Sequence, residues 1–301
     1  MILHDVDQTL RASIILVTFG AALAAQPLDA AVRERVRGFP GTVTLYAKNL
    51  DTGAAFGLRE TEPVRTASTI KLPVMLAVFD AVARGQAKWA DMLTVTAQDK
   101  VSGSGVIGSE FSEGVQLPLP DVVHLMIVLS DNSATNMLIE RFTADAVNAY
   151  LDKLGIKTTR LMRKIMGRGG DPKPSAAGKL PENQKYGLGM STPQDMVAIL
   201  ERLEKGSLEG SGEMIAILKR QQDNTGMRRY LSAYPVANKT GALDALRADV
   251  GIVYSKAGRI AMAIYVDGIP KVDYGPDNQG SLIISDLSKL LVERLATPAR
   301  E

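Results

Sequence analysis

The sequence has no cysteine and only two histidines, His4 and His124. A disulfide, a catalytic thiolate and a zinc site of three or four Cys and His ligands are therefore excluded. It also lacks a dominant charge. With 35 basic and 33 acidic residues the formal net charge is +2, which argues against a dedicated nucleic-acid binder. There is no internal repeat and no low-complexity tract. The sole apolar run of note, residues 12–25 (ASIILVTFGAALAA), is too short to span a bilayer comfortably. Acidic residues are missing from one whole stretch: none lies between Asp152 and Asp171.

What is present is ordinary globular composition, 46% apolar and 23% charged over 301 residues. That is enough for one large domain or two interleaved subdomains with a sizeable core. The apolar run follows Arg11 and ends near Ala22-Leu23-Ala24, the small-x-small form of a signal-peptidase site, although Asp5 and Asp7 precede it where positive charge is usual. The expectation is a leader over residues 1–25 and an exported mature chain, periplasmic or secreted, over residues 26–301.

Residues 28–37 read as a helix. Residues 43–49 and 54–58 read as strands around the turn-forming Asp51-Thr52-Gly53. The middle is helical by apolar spacing: residues 68–84, 119–129, 134–141, 145–154, a helix opened by Thr192-Pro193, and residues 213–221. Strands return at residues 236–242, 249–254 and 259–266, and residues 282–295 close the chain as an amphipathic helix. The order predicts an α/β fold of the α+β type. Its antiparallel sheet is drawn from both chain ends (about 26–67 and 211–301), and an all-helical subdomain (about 68–210) is inserted between them. A cleft between the two parts is the natural ligand site. Residues 166–190, rich in Gly and Pro, show no periodicity.

Three short patterns could carry chemistry. In Ser68-Thr69-Ile70-Lys71, a helix starting at Ser68 places Ser68 and Lys71 one turn apart on one face. A serine hydroxyl is a poor nucleophile until a base takes its proton. A lysine can serve once burial and neighbouring positive charge lower its pKa. The same four residues also suit a Ser helix cap beside a surface Lys. Ser130-Asp131-Asn132 reads as a cap between two helices, or as a proton relay and an amide donor. Lys239-Thr240-Gly241 lies on a strand, where the glycine lets a ligand backbone approach the edge; the bland alternative is an edge-strand Lys.

Order, spacing and context agree across the three, and together the chain resembles the class A β-lactamase-like family of serine hydrolases and penicillin-binding proteins. Phe39-Pro40-Gly41, Gly103-Ser104-Gly105-Val106 and Ala134-Thr135-Asn136 extend the likeness over about residues 28–295. The resemblance implies that Ser68 is the acylated nucleophile, Lys71 its proton acceptor and Ser130 the relay to the leaving nitrogen. Asn132 would hold the substrate's side-chain amide, and Lys239 and Thr240 its carboxylate. Gly241 would keep the strand open, and the N–H groups of Ser68 and Ala242 would form the oxyanion hole. Arg247 is a candidate second cation for the carboxylate. The resemblance also implies no metal or organic cofactor. The ligand would be a small β-lactam or D-Ala-D-Ala-type peptide, the chain a monomer, and the role β-lactam breakdown and antibiotic resistance ahead of D,D-peptidase action or of a penicillin-binding module that acylates without turnover.

The likeness breaks at one point. Class A β-lactamases carry a loop glutamate that positions the deacylating water. By ungapped spacing Ile165 falls at that position, and Gly169 falls where a partner asparagine belongs. Glu182, later in the loop, is the candidate replacement if the loop folds back; Asp171 is a weaker one. His124 and Trp89 read as packing residues.

Overall fold

A computed structural model describes residues 27–166, 171–256 and 258–295. The leader expected over residues 1–25 lies outside them. Among the described residues no helix is long and apolar enough to cross a membrane. The described residues up to Phe39 belong to one unit, containing helix α1 (Leu28–Val36), and those from Pro40 onward to a second.

The second unit is built on a five-stranded antiparallel sheet: β1 (Thr42–Asn49), β2 (Ala55–Leu58), β8 (Val236–Leu243), β9 (Leu246–Ser255) and β10 (Gly258–Asp267), in the order β2-β1-β10-β9-β8. The strands come from both chain ends, as the element order predicts. β9 is buried over eight consecutive residues and β10 over seven, so neighbours of both parities are covered and both sheet faces are packed. The covering elements are α7 (Pro193–Glu204), on β1, β9 and β10, and α9 (Gln279–Leu295), on β9 and β10; α8 (Ser211–Lys219) lies against β8. The helix 193–204 thus packs on the sheet: Lys48 on β1 bonds Glu201 at 2.9 Å, and the Tyr254 hydroxyl donates to Glu204 at 2.7 Å.

The helical part centres on α2 (Lys71–Ala83), surrounded by α4 (Leu119–Val128), α5 (Asn132–Phe142) and α6 (Ala144–Lys153). Every residue from Lys71 to Phe79 is buried. A helix apolar on all sides has to sit in the middle of a core. Three two- to three-residue strands, β3 (Val64–Arg65), β6 (Arg160–Leu161) and β7 (Gly189–Ser191), join in a small sheet, while β4 (Met92–Thr94) pairs with β5 (Gln116–Pro118). A single-turn helix, α3 (Ile107–Glu110), precedes β5. The irregular segment predicted over 166–190 holds two 3-10 turns, Ala177–Lys179 and Pro181–Tyr186. Its path is set by Ser175, whose hydroxyl donates to Leu161 O at 2.9 Å and whose N–H donates to Met162 O at 2.8 Å.

Candidate active site

The sequence places Ser68 at the start of an α-helix. The structure places it in a 3-10 turn, Ala67–Ile70, that runs into α2 at Lys71. Residues three apart eclipse in a 3-10 turn, so Ser68 and Lys71 still share a face. Ala67 enters the turn with φ +45°. For a residue with a Cβ this left-handed conformation costs about 1–3 kcal/mol and persists only where the surroundings impose it. Here the Thr66 N–H donates to Gly189 O at 3.0 Å, and the Thr69 hydroxyl donates back to Thr66 O at 2.8 Å.

Lys71 is fully buried. When protonated, its Nζ donates to Ser130 O at 2.7 Å, Ser130 Oγ at 3.2 Å and Asn132 Oδ1 at 2.9 Å; the neutral amine keeps two of its protons and gains a lone pair that can accept another. Burial and then the charge of Lys239 hold its pKa well below the ordinary lysine range, with Asp131 acting weakly the other way. Lys239, on β8, is also fully buried and donates to Ser130 Oγ at 3.0 Å and Thr240 O at 2.9 Å. Burial pushes its pKa down to about 8, against the opposing pull of Asp223 and Asp249. The Ser130 hydroxyl therefore sits between two lysines.

Ser130 owes that position to its backbone and its neighbour. Its φ is +56°. Asp131, fully buried, caps α5 by accepting from Ala134 N at 2.8 Å; its other oxygen accepts from Val106 N at 2.6 Å and Ile107 N at 2.8 Å. One carboxylate thus locks the 103–107 loop to the start of α5. Asn132 completes the junction, with Nδ2 donating to Ser102 O at 3.1 Å. A Cβ at Gly105 would fall 2.2 Å from the Asp131 carboxyl, so only glycine fits there. The same holds for Gly241 on β8, where a Cβ would meet Thr66 O at 2.9 Å and Ser68 N at 3.2 Å. The strand lies directly against the backbone of the turn that bears Ser68.

These elements enclose a cleft of about 610 Å³ lined by Ser68, Ser104, Asn132, Ala242 and Tyr274 among others. The structure thus brings together Ser68, Lys71, Ser130, Asn132, Lys239, Thr240, Gly241 and Ala242. Three expected residues are not brought in. Glu182 is exposed on the Pro181–Tyr186 turn and is absent from the lining. Asp171 is also exposed and accepts from the Lys173 N–H at 2.9 Å. Arg247 lies beneath the wall instead of in the cleft. Its guanidinium donates to Leu243 O at 2.6 Å, Leu246 O at 2.7 Å and Asp273 O, and it stacks 4.7 Å from the Tyr274 ring centre. With those donors spent on carbonyls, it positions the lip formed by Leu243 and Tyr274.

Ile165 does line the cleft. Its backbone is clamped by Asn136 on α5: Ile165 N donates to Oδ1 at 2.8 Å and Nδ2 donates to Ile165 O at 3.0 Å. Lys164, beside it, is buried and ion-paired with Asp99 at 3.3 Å and Glu140 at 3.0 Å. Among the described residues no carboxylate lines the cleft. Arg163, Tyr186 and Tyr274 line it too; no local sequence pattern distinguishes them from other loop residues. His124 borders a separate cavity of about 360 Å³ with Phe79 and Trp89, whose rings meet edge-on with centres 4.7 Å apart.

Comparison with known proteins bears on the family and the fold. A solved β-lactamase from Sphaerobacter thermophilus is 30% identical, with a TM-score of 0.75 over 88% of this chain and 95% of that one. PBP-A is 26% identical, with a TM-score of 0.75 over 88% of this chain and 94% of its own; a leucine-to-glutamate mutant of it has also been solved as an acyl-enzyme complex with penicillin G. The β-lactamase regulatory protein BlaB of Streptomyces cacaoi is 28% identical over 100 residues, which is 33% of this chain and 32% of that protein. The chain thus spans about a third of the length of that curated relative. The model of the β-lactamase enzyme family matches residues 27–295, and with the antiparallel sheet, the helical part and the Ser-Lys-Ser-Lys cluster in place, the chain belongs to that family of serine-hydrolase fold.

Proposed function

We propose that this protein is a D,D-peptidase-like, penicillin-binding serine hydrolase that forms an ester on Ser68 and releases β-lactam acyl groups slowly. The observation that carries this reading is Ile165, an apolar side chain in the cleft lining where no carboxylate of the described residues is present to activate water.

The acylation chemistry follows from the cluster. Ser68 Oγ attacks the carbonyl carbon of the amide and its proton passes to neutral Lys71 Nζ. The N–H groups of Ser68 and Ala242 hold the developing oxyanion; such a donor contributes about 3–4 kcal/mol. Ser130 Oγ accepts from both lysines, so its own proton is free to go to the leaving nitrogen, and Lys71 replaces that proton through Ser130. The C–N bond breaks and the ester remains. Protonated Lys239 with Thr240 binds the substrate carboxylate, and Asn132 the acyl-side amide. Release of the ester needs water and a base; no carboxylate of the described residues lines the cleft, so the base left for ester hydrolysis is Lys71, neutral again once its proton has passed through Ser130.

A chromogenic cephalosporin assayed alongside intact-protein mass spectrometry tests the proposal. A stoichiometric burst with a lasting adduct on Ser68 is expected; sustained turnover would overturn it in favour of a β-lactamase. That second reading is favoured by the 30% identity to the Sphaerobacter β-lactamase. A cell-wall substrate calls for a protein outside the cytoplasm, and N-terminal sequencing of the exported chain, with a start near Gln26, checks that part.

A further inference from the structure

Apart from the buried Lys71 and Lys239, the described residues lining the cleft include one charged side chain, Arg163. It is half-buried, and its Nη1 donates to Lys164 O at 2.9 Å. No carboxylate of the described residues pairs with it. The four loop residues that follow Met166, Gly-Arg-Gly-Gly, contain none either. Its pKa is drawn down by burial, with no opposing charge.

The neighbouring cations are different. Lys164 takes Asp99 and Glu140, Lys173 takes Glu140, and Arg160 takes Asp152 at 2.8 Å. Asp99, Glu140 and Asp152 are committed to these cations, Asp171 accepts from the Lys173 N–H, and Arg163 lines the cleft without an ion pair to any described carboxylate. Partial desolvation of a guanidinium without an anion is unfavourable, and a planar donor fork suits a carboxylate.

Its place in the cleft identifies which end of the substrate it meets. Asn136 grips the backbone of Ile165, two residues on, and Asn132 lies one helical turn before Asn136 on the same face of α5. The 163–166 segment therefore borders the Asn132 side. Lys239 and Thr240, on β8, border the other.

We infer that Arg163 receives a second carboxylate carried on the acyl side of the substrate. The preferred ligand is then an amide with two anionic groups, one near Lys239 and Thr240 and one near Arg163: an acidic stem peptide ending in D-alanyl-D-alanine, or a penicillin with an acidic side chain. This inference rests on the acylating reading of Ser68.

Benzylpenicillin and carbenicillin make the test, since carbenicillin adds one carboxylate to the acyl side chain. The second-order rate constant for labelling Ser68, followed by mass spectrometry, is expected to favour carbenicillin about tenfold, the scale of one charge-assisted pair. In Arg163→Gln the ratio falls to one or below, and in Arg163→Lys it is partly kept. An unchanged ratio in Arg163→Gln, or equal slowing of both penicillins, overturns the inference. A second arm needs no ester. Calorimetric binding to Ser68→Ala compares succinyl- with acetyl-capped D-alanyl-D-alanine peptides, with and without Arg163→Gln. A succinyl preference lost in the double variant supports the contact with a peptide ligand; a preference kept there, or absent throughout, removes the contact for peptides. If neither penicillin labels Ser68, the acylating function fails while the binding arm still decides Arg163.

Discussion

Lys71 Nζ donates to both oxygens of Ser130, 2.7 Å to the carbonyl and 3.2 Å to the hydroxyl. The first bond fixes the lysine by backbone, and the second sets up proton exchange by side chain. Replacing Ser130 by Ala removes only the second. The Ser130→Ala variant is expected to acylate about 10²–10³-fold more slowly, the usual scale for a lost general-acid step. Labelling at Ser68 persists. Stopped-flow acylation with mass spectrometry reads both; an unchanged rate would exclude Ser130 as the relay.

The two buried lysines act in opposite protonation states, which gives the acylation rate a bell-shaped pH dependence. Lys71 works as a neutral amine, so activity rises as pH climbs through its lowered pKa. Lys239 works as a cation, so substrate binding is lost as pH rises past about 8. The profile of kcat/KM, which reports the free enzyme, should therefore fall above about pH 8. In Lys239→Arg, where the charge persists, the alkaline limb should move upward by more than about one pH unit; a limb that stays put would have to be assigned elsewhere.

Ile165 is held in the cleft by a backbone clamp, so its side chain can change while its position stays. Ile165→Glu introduces a carboxylate into the cleft that holds Ser68. The acyl-enzyme lifetime with benzylpenicillin is expected to shorten about 10²-fold, within the range of general-base catalysis. Mass spectra taken over time after a single addition measure it. No change in lifetime would mean that slow release has another cause.

Gly241 lets β8 lie directly against the backbone of Thr66 and Ser68. Gly241→Ala forces that contact apart, at about 1–3 kcal/mol. The displacement falls on the Ser68 N–H, the proposed oxyanion donor, so acylation should slow more than stability alone would account for. Chemical denaturation and acylation rates on one sample separate the two; a full loss of stability with normal acylation would oppose the oxyanion role.

Lys164 holds the buried carboxylate of Asp99 and is itself buried. Lys164→Met leaves Asp99 without that partner, and breaking a buried pair from one side costs about 3–5 kcal/mol. Denaturant unfolding should show that loss, and Asp99→Asn in the same background should recover part of it.

Much of this molecule is local and therefore readable along the chain. The helices and strands follow apolar spacing and the Gly and Pro punctuation between them, with end points shifted by a few residues. The Ser68-Lys71, Ser130-Asn132 and Lys239-Gly241 clusters are short enough to be recognised, and the structure unites them because the turn leading into α2 and the start of α5 both meet the middle of β8. Even the lack of a loop glutamate is visible as Ile165.

Which loop charges reach the site is a different kind of question. Glu182, Arg247 and Arg163 look alike in sequence: one ionisable residue each, without a motif. Tertiary structure alone separates them. Glu182 is left exposed to solvent, Arg247 is consumed by carbonyls from Leu243 to Asp273, and Arg163 is carried into the cleft by the Asn136–Ile165 clamp. The physical reason is the range of the interactions that decide the outcome. Helix and strand formation answer to neighbours a few residues away, whereas the loop's course depends on hydrogen bonds between residues 29 apart in the chain and on ion pairs such as Lys164 with Asp99, which form only once the core has folded.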